Sequence, residues 1–176
     1  MKHPAILRSP VALALLLVLG PLRAQDEVSQ RVDQLFAQLD QTPISQAWRI
    51  SDEIVRLGDA AIPKVRERLE AGAPKVRLAA ARSLLLLGGE EEVLGGEDPA
   101  VLALVGLASS SGDDEARRLA IDLLAEEEVD EAGPALARLL MEPMPSVTKA
   151  RLAHAVYRLA PDHRESARRI MRDLLR

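Results

Sequence analysis

One stretch, Gly58 to Gly89 (GDAAIPKVRERLEAGAPKVRLAAARSLLLLGG), reads as a complete helix–turn–helix unit, and related stretches flank it on both sides. Asp59 is placed to cap its first helix and Pro63 falls in the first turn, with Ile62, Val65 and Leu69 apolar. Gly72 and Pro74 then break the chain. A second helix is expected from about Pro74 to Leu87, where Val76, Ala80, Ala81, Leu84 and Leu87 recur three and four residues apart and form one apolar face. Gly88 and Gly89 are expected to stop it, because glycine accepts the left-handed conformation that ends helices.

The unit repeats. Ala47-Ile50-Ser51-Ile54, Arg77-Ala80-Ala81-Leu84, Arg117-Ala120-Ile121-Leu124 and Lys149-Leu152-Ala153-Val156 follow one pattern at offsets of 30, 40 and 32 residues. The long offset contains Glu90 to Asp98 (EEEVLGGED), an acidic, glycine-bearing connection of the kind that absorbs length. Around these helices, periodic segments are expected at Asp26–Asp40, Ser45–Leu57 and Pro99–Ala108. Asp113, Asp130, Ser146 and Asp162 are each placed to cap a further helix. Pro143 and Pro145 separate two of these. Hydrophobic residues make up 48% of the chain but aromatics only 2%, so the core must be built from Leu, Ala, Val and Ile. Strong helix formers dominate and no period-two alternation appears. The expected class is all-α. A lone hairpin cannot bury its apolar face, whereas stacked hairpins bury it on both sides.

Gly58, Asp59, Ile62, Pro63, Val65, Leu69, Pro74, Val76, Arg77, Ala80, Ala81, Leu84, Leu87 and Gly88 fit the string lGDxAIPxLxxxLxxxxPxVRxxAAxxLxxLG. That string resembles the HEAT-repeat family, in particular its phycobilisome-lyase-like subtype. The resemblance is closest over residues 58–89, extends over 113–160 and is looser over 26–57. It implies a right-handed α-solenoid of antiparallel helix pairs, about four pairs plus a terminal helix, of the kind that mostly serves as a binding scaffold. The bilin-lyase activity of some relatives is not implied, since no residue here marks a bilin site.

Residues 1–24 resemble a secretory signal peptide. Lys2, His3 and Arg8 form a positive start, Val11 to Leu19 an apolar core, and Gly20 and Pro21 a break. Ala24 precedes a plausible cut before Gln25. The apolar run falls short of the roughly 20 residues that a membrane-spanning helix needs. The expected organisation is therefore a signal peptide over residues 1–24, a helical-repeat domain over 25–176, and a periplasmic or extracellular address. An uncleaved anchor or a disordered N-terminal tail is the alternative. Without Lys2, Arg8 and Arg23, the 23 basic and 27 acidic residues give a net charge of −7. That excess opposes general binding to nucleic acid or to anionic membranes.

The absence of cysteine excludes disulfides, a thiolate nucleophile and cysteine-based zinc sites, and the absence of asparagine excludes N-glycosylation. His154 and His163 have no HExxH spacing, no GxSxG occurs, and the acidic clusters lack calcium-loop spacing. The chain is expected to be non-enzymatic, with no cofactor or metal.

In stacked hairpins the second helices line one face. Its outward column is Asp52, Arg82, Asp122 and His154, flanked one turn earlier by Trp48, Leu78, Arg118 and Ala150. One turn later come Arg56, Leu86, Glu126 and Arg158. Trp48, Asp52, Arg82, Arg118, Asp122, His154 and Arg158 are thus candidate contacts for a protein or peptide partner, since Trp and Arg are common anchors. The same residues could equally form an inter-repeat ladder, Asp52–Arg82–Asp122, with Trp48 packed between the first two hairpins. A spacer module of an envelope complex, touching partners through its ends, is a second functional reading, and a lyase-like activity a third. Charge is uneven: Gly89 to Glu131 carries −12 and Ser146 to Arg176 carries +5. The last helix lacks a partner, so Met171 and Leu174 could support self-association.

Overall fold

The computed structural model describes residues 10–39, 41–88, 98–110 and 112–176. Among these the chain forms nine α-helices and four 3₁₀ turns, with no strand. The helices are α1 (Pro10–Leu39), α2 (Ala47–Val55), α3 (Ile62–Ala71), α4 (Pro74–Leu87), α5 (Pro99–Ser109), α6 (Asp114–Glu126), α7 (Gly133–Leu139), α8 (Ser146–Leu159) and α9 (Arg164–Leu174). The all-α class follows; α2 to α9 fall close to where the periodicity places them, whereas α1 begins at Pro10, well before the expected Asp26.

Contacts run along the sequence. α2 packs on α1, α4 on both α2 and α3, and α5 on α4. α6 lies against α5 and α4, α8 against α6 and α7, and α9 against α8. Hence α2, α4, α6 and α8 touch each in turn. Their apolar stripes supply much of the core: Ala47, Ile50 and Ile54; Leu78, Ala79, Ala80, Ala81 and Leu84; Ala120, Ile121, Leu123 and Leu124; Leu152, Ala153, Ala155 and Val156. Alanines at the crossings let helix backbones approach, and leucines fill the space between them. Val32, Leu35, Phe36 and Leu39 of α1 close the core at one side.

The helix starts differ from the sequence expectation. Asp98 and Asp113 are true caps: Asp98 accepts from the Ala100 amide at 2.7 Å, and Asp113 from those of Glu115 and Ala116 at 3.1 and 2.9 Å. Asp59, Asp130 and Asp162 are not caps. Each lies inside a 3₁₀ turn, at Asp59–Ala61, Asp130–Ala132 and Pro161–His163, which leads directly into α3, α7 or α9. The tighter turn already donates the amides of Ala61, Ala132 and His163 to the carbonyls of Gly58, Val129 and Ala160, so these aspartates contribute charge to the helix start instead. Ser146 is likewise the first helical residue, preceded by Pro145, and makes no side-chain cap.

Gly88 ends α4 at φ −87°, not in the left-handed region, and Gly89 lies outside the described residues. Among the described residues the positive φ angles belong to Gly58 (71°) and Glu128 (55°), at the ends of α2 and α6. Gly133 serves closeness instead: a Cβ there would strike the Leu159 carbonyl at the end of α8.

α1 continues through Gly20 and Pro21 and across the expected cut after Ala24. A proline deprives a helix of one backbone bond, and here the helix carries on past it. Lys2, His3 and Arg8 lie outside the described residues, as do Asp40 and most of the Glu90–Asp98 connection. No described helix is long and apolar enough to cross a membrane.

Polar contacts cross the same interfaces. Ser51 and Ser83, both buried, share a 3.0 Å hydrogen bond between α2 and α4, and Ser83 also donates to the Ala79 carbonyl at 2.8 Å. Thr148 of α8, also buried, donates to Asp114 of α6 at 2.9 Å. Asp33 of α1 receives Arg68 at 2.5 Å and Lys64 at 3.3 Å from α3. Partial desolvation pushes the Asp33 carboxyl up, but hydrogen bonds and charge from Arg68 and Lys64 outweigh it and hold its pKa below the usual carboxylate value.

Two predictions follow from backbone and charge. Gly58 combines φ 71° with ψ −165°, a region almost reserved for glycine, and a Cβ there meets nothing within 4 Å. Gly58→Ala should therefore cost about 1–3 kcal/mol through conformation alone. Glu128→Gly should instead stabilise by up to about 1 kcal/mol. Denaturant melts of the two variants check both signs. Asp33→Asn should lower stability at neutral pH by less than about 1 kcal/mol, because the group is partly exposed. A depressed folded-state pKa means that this contribution is present above the unfolded-state value and is lost as pH falls through the folded one. The wild-type advantage in Tm should thus shrink in acid; an advantage that grows in acid would refute the assignment.

Candidate binding face

The successive contacts of α2, α4, α6 and α8 place some of the predicted column residues beside one another. At the α2–α4 junction they converge. Arg82 donates to Asp52 at 2.5 Å and to the Trp48 carbonyl at 3.3 Å, and its guanidinium lies 5.4 Å from the centre of the Trp48 ring. Trp48 is half-buried, packed on the core through part of its indole. It is therefore both a packing residue and the floor beneath Arg82. A planar guanidinium held on an indole face and fixed by a carboxylate is pre-organised, so little side-chain entropy remains to be lost when a ligand meets it.

The second rung of the expected ladder is different. Asp122 of α6 pairs with Arg151 of α8, not with Arg82. Arg151 stands one helical turn before the column residue His154, and a long side chain spans that offset. His154 itself is exposed. Arg118 turns along its own helix to Asp114 at 3.4 Å, and Asp114 also accepts from Thr148. Arg158 pairs at 2.8 Å with Glu128, the residue with positive φ, rather than with Glu126. Leu78, expected on the outward face, is fully buried (0% exposed) in the core of α4. Leu86, one column over, is exposed as expected.

Further groups were missed in the sequence. Tyr157 of α8 carries Arg164 and Arg168 of α9 over its ring at 5.7 and 5.1 Å, and Arg168 donates to its hydroxyl at 2.9 Å. An aromatic residue followed by arginines at seven and eleven residues is the only sequence sign of this clamp. Arg117 is buried and donates twice to the Ser110 carbonyl, tying α6 to the end of α5. The Arg77 Nε is buried without a partner among the described residues. Among those residues no group of acidic or histidine side chains converges as a metal site would.

No family model, curated protein or solved structure matches this chain. The likeness to HEAT repeats therefore rests on the residues that carry it.

The chain's one tryptophan makes the Trp48–Arg82 contact directly observable. Arg82→Ala should shift Trp48 emission to the red by opening the indole to water, and Asp52→Ala should do so less. Asp122→Asn, at the separate rung, should leave the spectrum unchanged. A double-mutant cycle on Asp52 and Arg82 should return no more than about 1 kcal/mol, falling with added salt.

Proposed function

We propose that this chain is an exported, non-catalytic helical-repeat scaffold that binds a protein or peptide partner. In this reading the helices form a right-handed α-solenoid of antiparallel HEAT-like pairs, with α2, α4, α6 and α8 lining the concave face. The observation that carries it is the Arg82–Trp48–Asp52 cluster: an aromatic plane, a held guanidinium and a carboxylate presented together across two consecutive second helices. Trp and Arg in such a setting are the residue types that dominate binding energy at interfaces. The paired charges Asp122–Arg151 and Glu128–Arg158 continue the face as polar surroundings, which fix register more than they add affinity. The excess negative charge of the mature chain favours protein over nucleic acid, and the lyase chemistry of some HEAT-like proteins has no counterpart in this reading.

Export rests on the charge, apolar core and small residue of the first 24 positions. It is tested by N-terminal sequencing of the chain recovered outside the cytoplasm, which should begin at Gln25. Partner binding is tested by affinity purification of the tagged wild type beside Arg82→Gln and Trp48→Ala, with melting temperatures as a control for folding. A partner held by the wild type should be lost from Arg82→Gln, whose fold is checked by its melting temperature because the Arg82 side chain is only 18% exposed. Retention of every partner by a folded Arg82→Gln would remove the concave-face reading.

A further inference from the structure

The edge formed by α8 and α9 is unlike the rest of the surface. Ser146, Val147 and Ala150 of α8 face Met171 and Leu174 of α9, and Leu175 just past its end, across a depression of about 400 Å³. Its lining is nearly all apolar and open to water: Val147 is 58% exposed and Leu175 89%. Ala167 of α9 is buried and Ile170 and Met171 pack partly on the core, while Leu174, at the end of the helix, is exposed. Arg168 and Arg172 lie four residues apart on α9, and Arg176 follows at the same spacing beyond the helix end. Arg168 is committed to Tyr157 and Glu165. Arg169, Arg172 and Arg176 are exposed and have no partner among the described residues.

We propose that this cleft docks an amphipathic helix of a partner protein, with leucine-like side chains in the depression and carboxylates along the edge that meets Arg172 and Arg176. Complementarity of charge selects the occupant. A second copy meeting the same face would bring its own arginines against these, and like charges opposed across an interface are costly. A bilayer surface is flat, whereas the apolar side chains here line a concavity that takes the ridge of a helix. The cleft lies on α8 and α9, away from Trp48 and Arg82 on α2 and α4, so it stands or falls separately from the concave-face reading.

The probe is a synthetic helical peptide with leucines at i, i+3, i+4 and i+7 and glutamates along one edge, titrated against the full chain by fluorescence anisotropy. The same peptide with lysines replacing the glutamates is the control. The wild type should bind the glutamate peptide at least about tenfold more tightly than the lysine peptide. Leu175→Glu, at a site exposed enough to leave the fold intact, should weaken that binding about tenfold, and Arg172→Glu should shift preference toward the lysine peptide. Equal binding of both peptides, binding of neither, or indifference to both substitutions overturns the proposal. Sedimentation velocity of the chain alone and co-sedimentation with vesicles of phosphatidylglycerol and phosphatidylethanolamine complete the test. A dimer, or vesicle binding, that Leu175→Glu abolishes would assign the cleft to a second copy or to a membrane surface, and overturn the helix-docking assignment.

Discussion

Everything in this molecule depends on how closely α4 can lie against its neighbours. Three consecutive alanines, Ala79, Ala80 and Ala81, are fully buried at its centre, and α4 touches α2, α3, α5 and α6. A helix buried on several sides at once cannot carry large residues at every inward position, since the helix axes would be forced apart and the contacts between them lost. The leucines at 78 and 84 bracket the alanines and supply the bulk. With so few aromatics available, packing density has to come from many small and medium side chains, each placed at the crossing of two helices.

Hydrophobic stripes alone do not fix which turn of one helix meets which turn of the next. Directional contacts do that. The Ser51–Ser83 bond lies inside the α2–α4 contact, and a one-turn slip would leave the buried Ser51 hydroxyl without that partner, while Ser83 would keep its bond to the Ala79 carbonyl. Thr148–Asp114 has the same role between α6 and α8. The surface pairs Arg82–Asp52 and Arg151–Asp122 span the same interfaces from outside, where water screens them. Buried hydroxyls thus hold register, and exposed ion pairs decorate it.

This division explains what was legible from residues alone. The helices were, because a period of three and four residues over ten positions has no other good solution, and α4 falls at the bounds that Pro74 and Leu87 mark. The starts of α3, α7 and α9 were not. An aspartate ahead of an apolar run is the usual sign of a cap, yet a 3₁₀ turn before each helix uses the backbone's own amides, and only geometry distinguishes the two. Leu78 was misplaced because a column drawn from one repeat assumes that every second helix has the same exposed arc. α4 is covered more widely than α2, so its arc is narrower. The Asp52–Arg82 rung was readable from the offset of 30 residues, whereas Asp122–Arg151 was not, since a flexible arginine can select a carboxylate one turn away from its own column.

The same reasoning separates surface that is spent from surface that is available. An arginine stacked on an aromatic ring and bonded to a carboxylate, as Arg82 is, has already lost the rotamer freedom that binding would otherwise remove, so its potential affinity comes from order rather than from free charge. Arg172 and Arg176 are the opposite case: solvated, unpaired among the described residues, and adjacent to apolar side chains that water covers poorly. Tyr157 links these regimes. Through its ring and hydroxyl it ties Arg164 and Arg168, in the first turns of α9, to α8, whereas the cleft lies at the other end of that helix pair, where Met171, Leu174 and Leu175 meet Ser146, Val147 and Ala150. The charge that is bound thus falls toward the start of α9, and free charge and exposed apolar surface fall together toward its end.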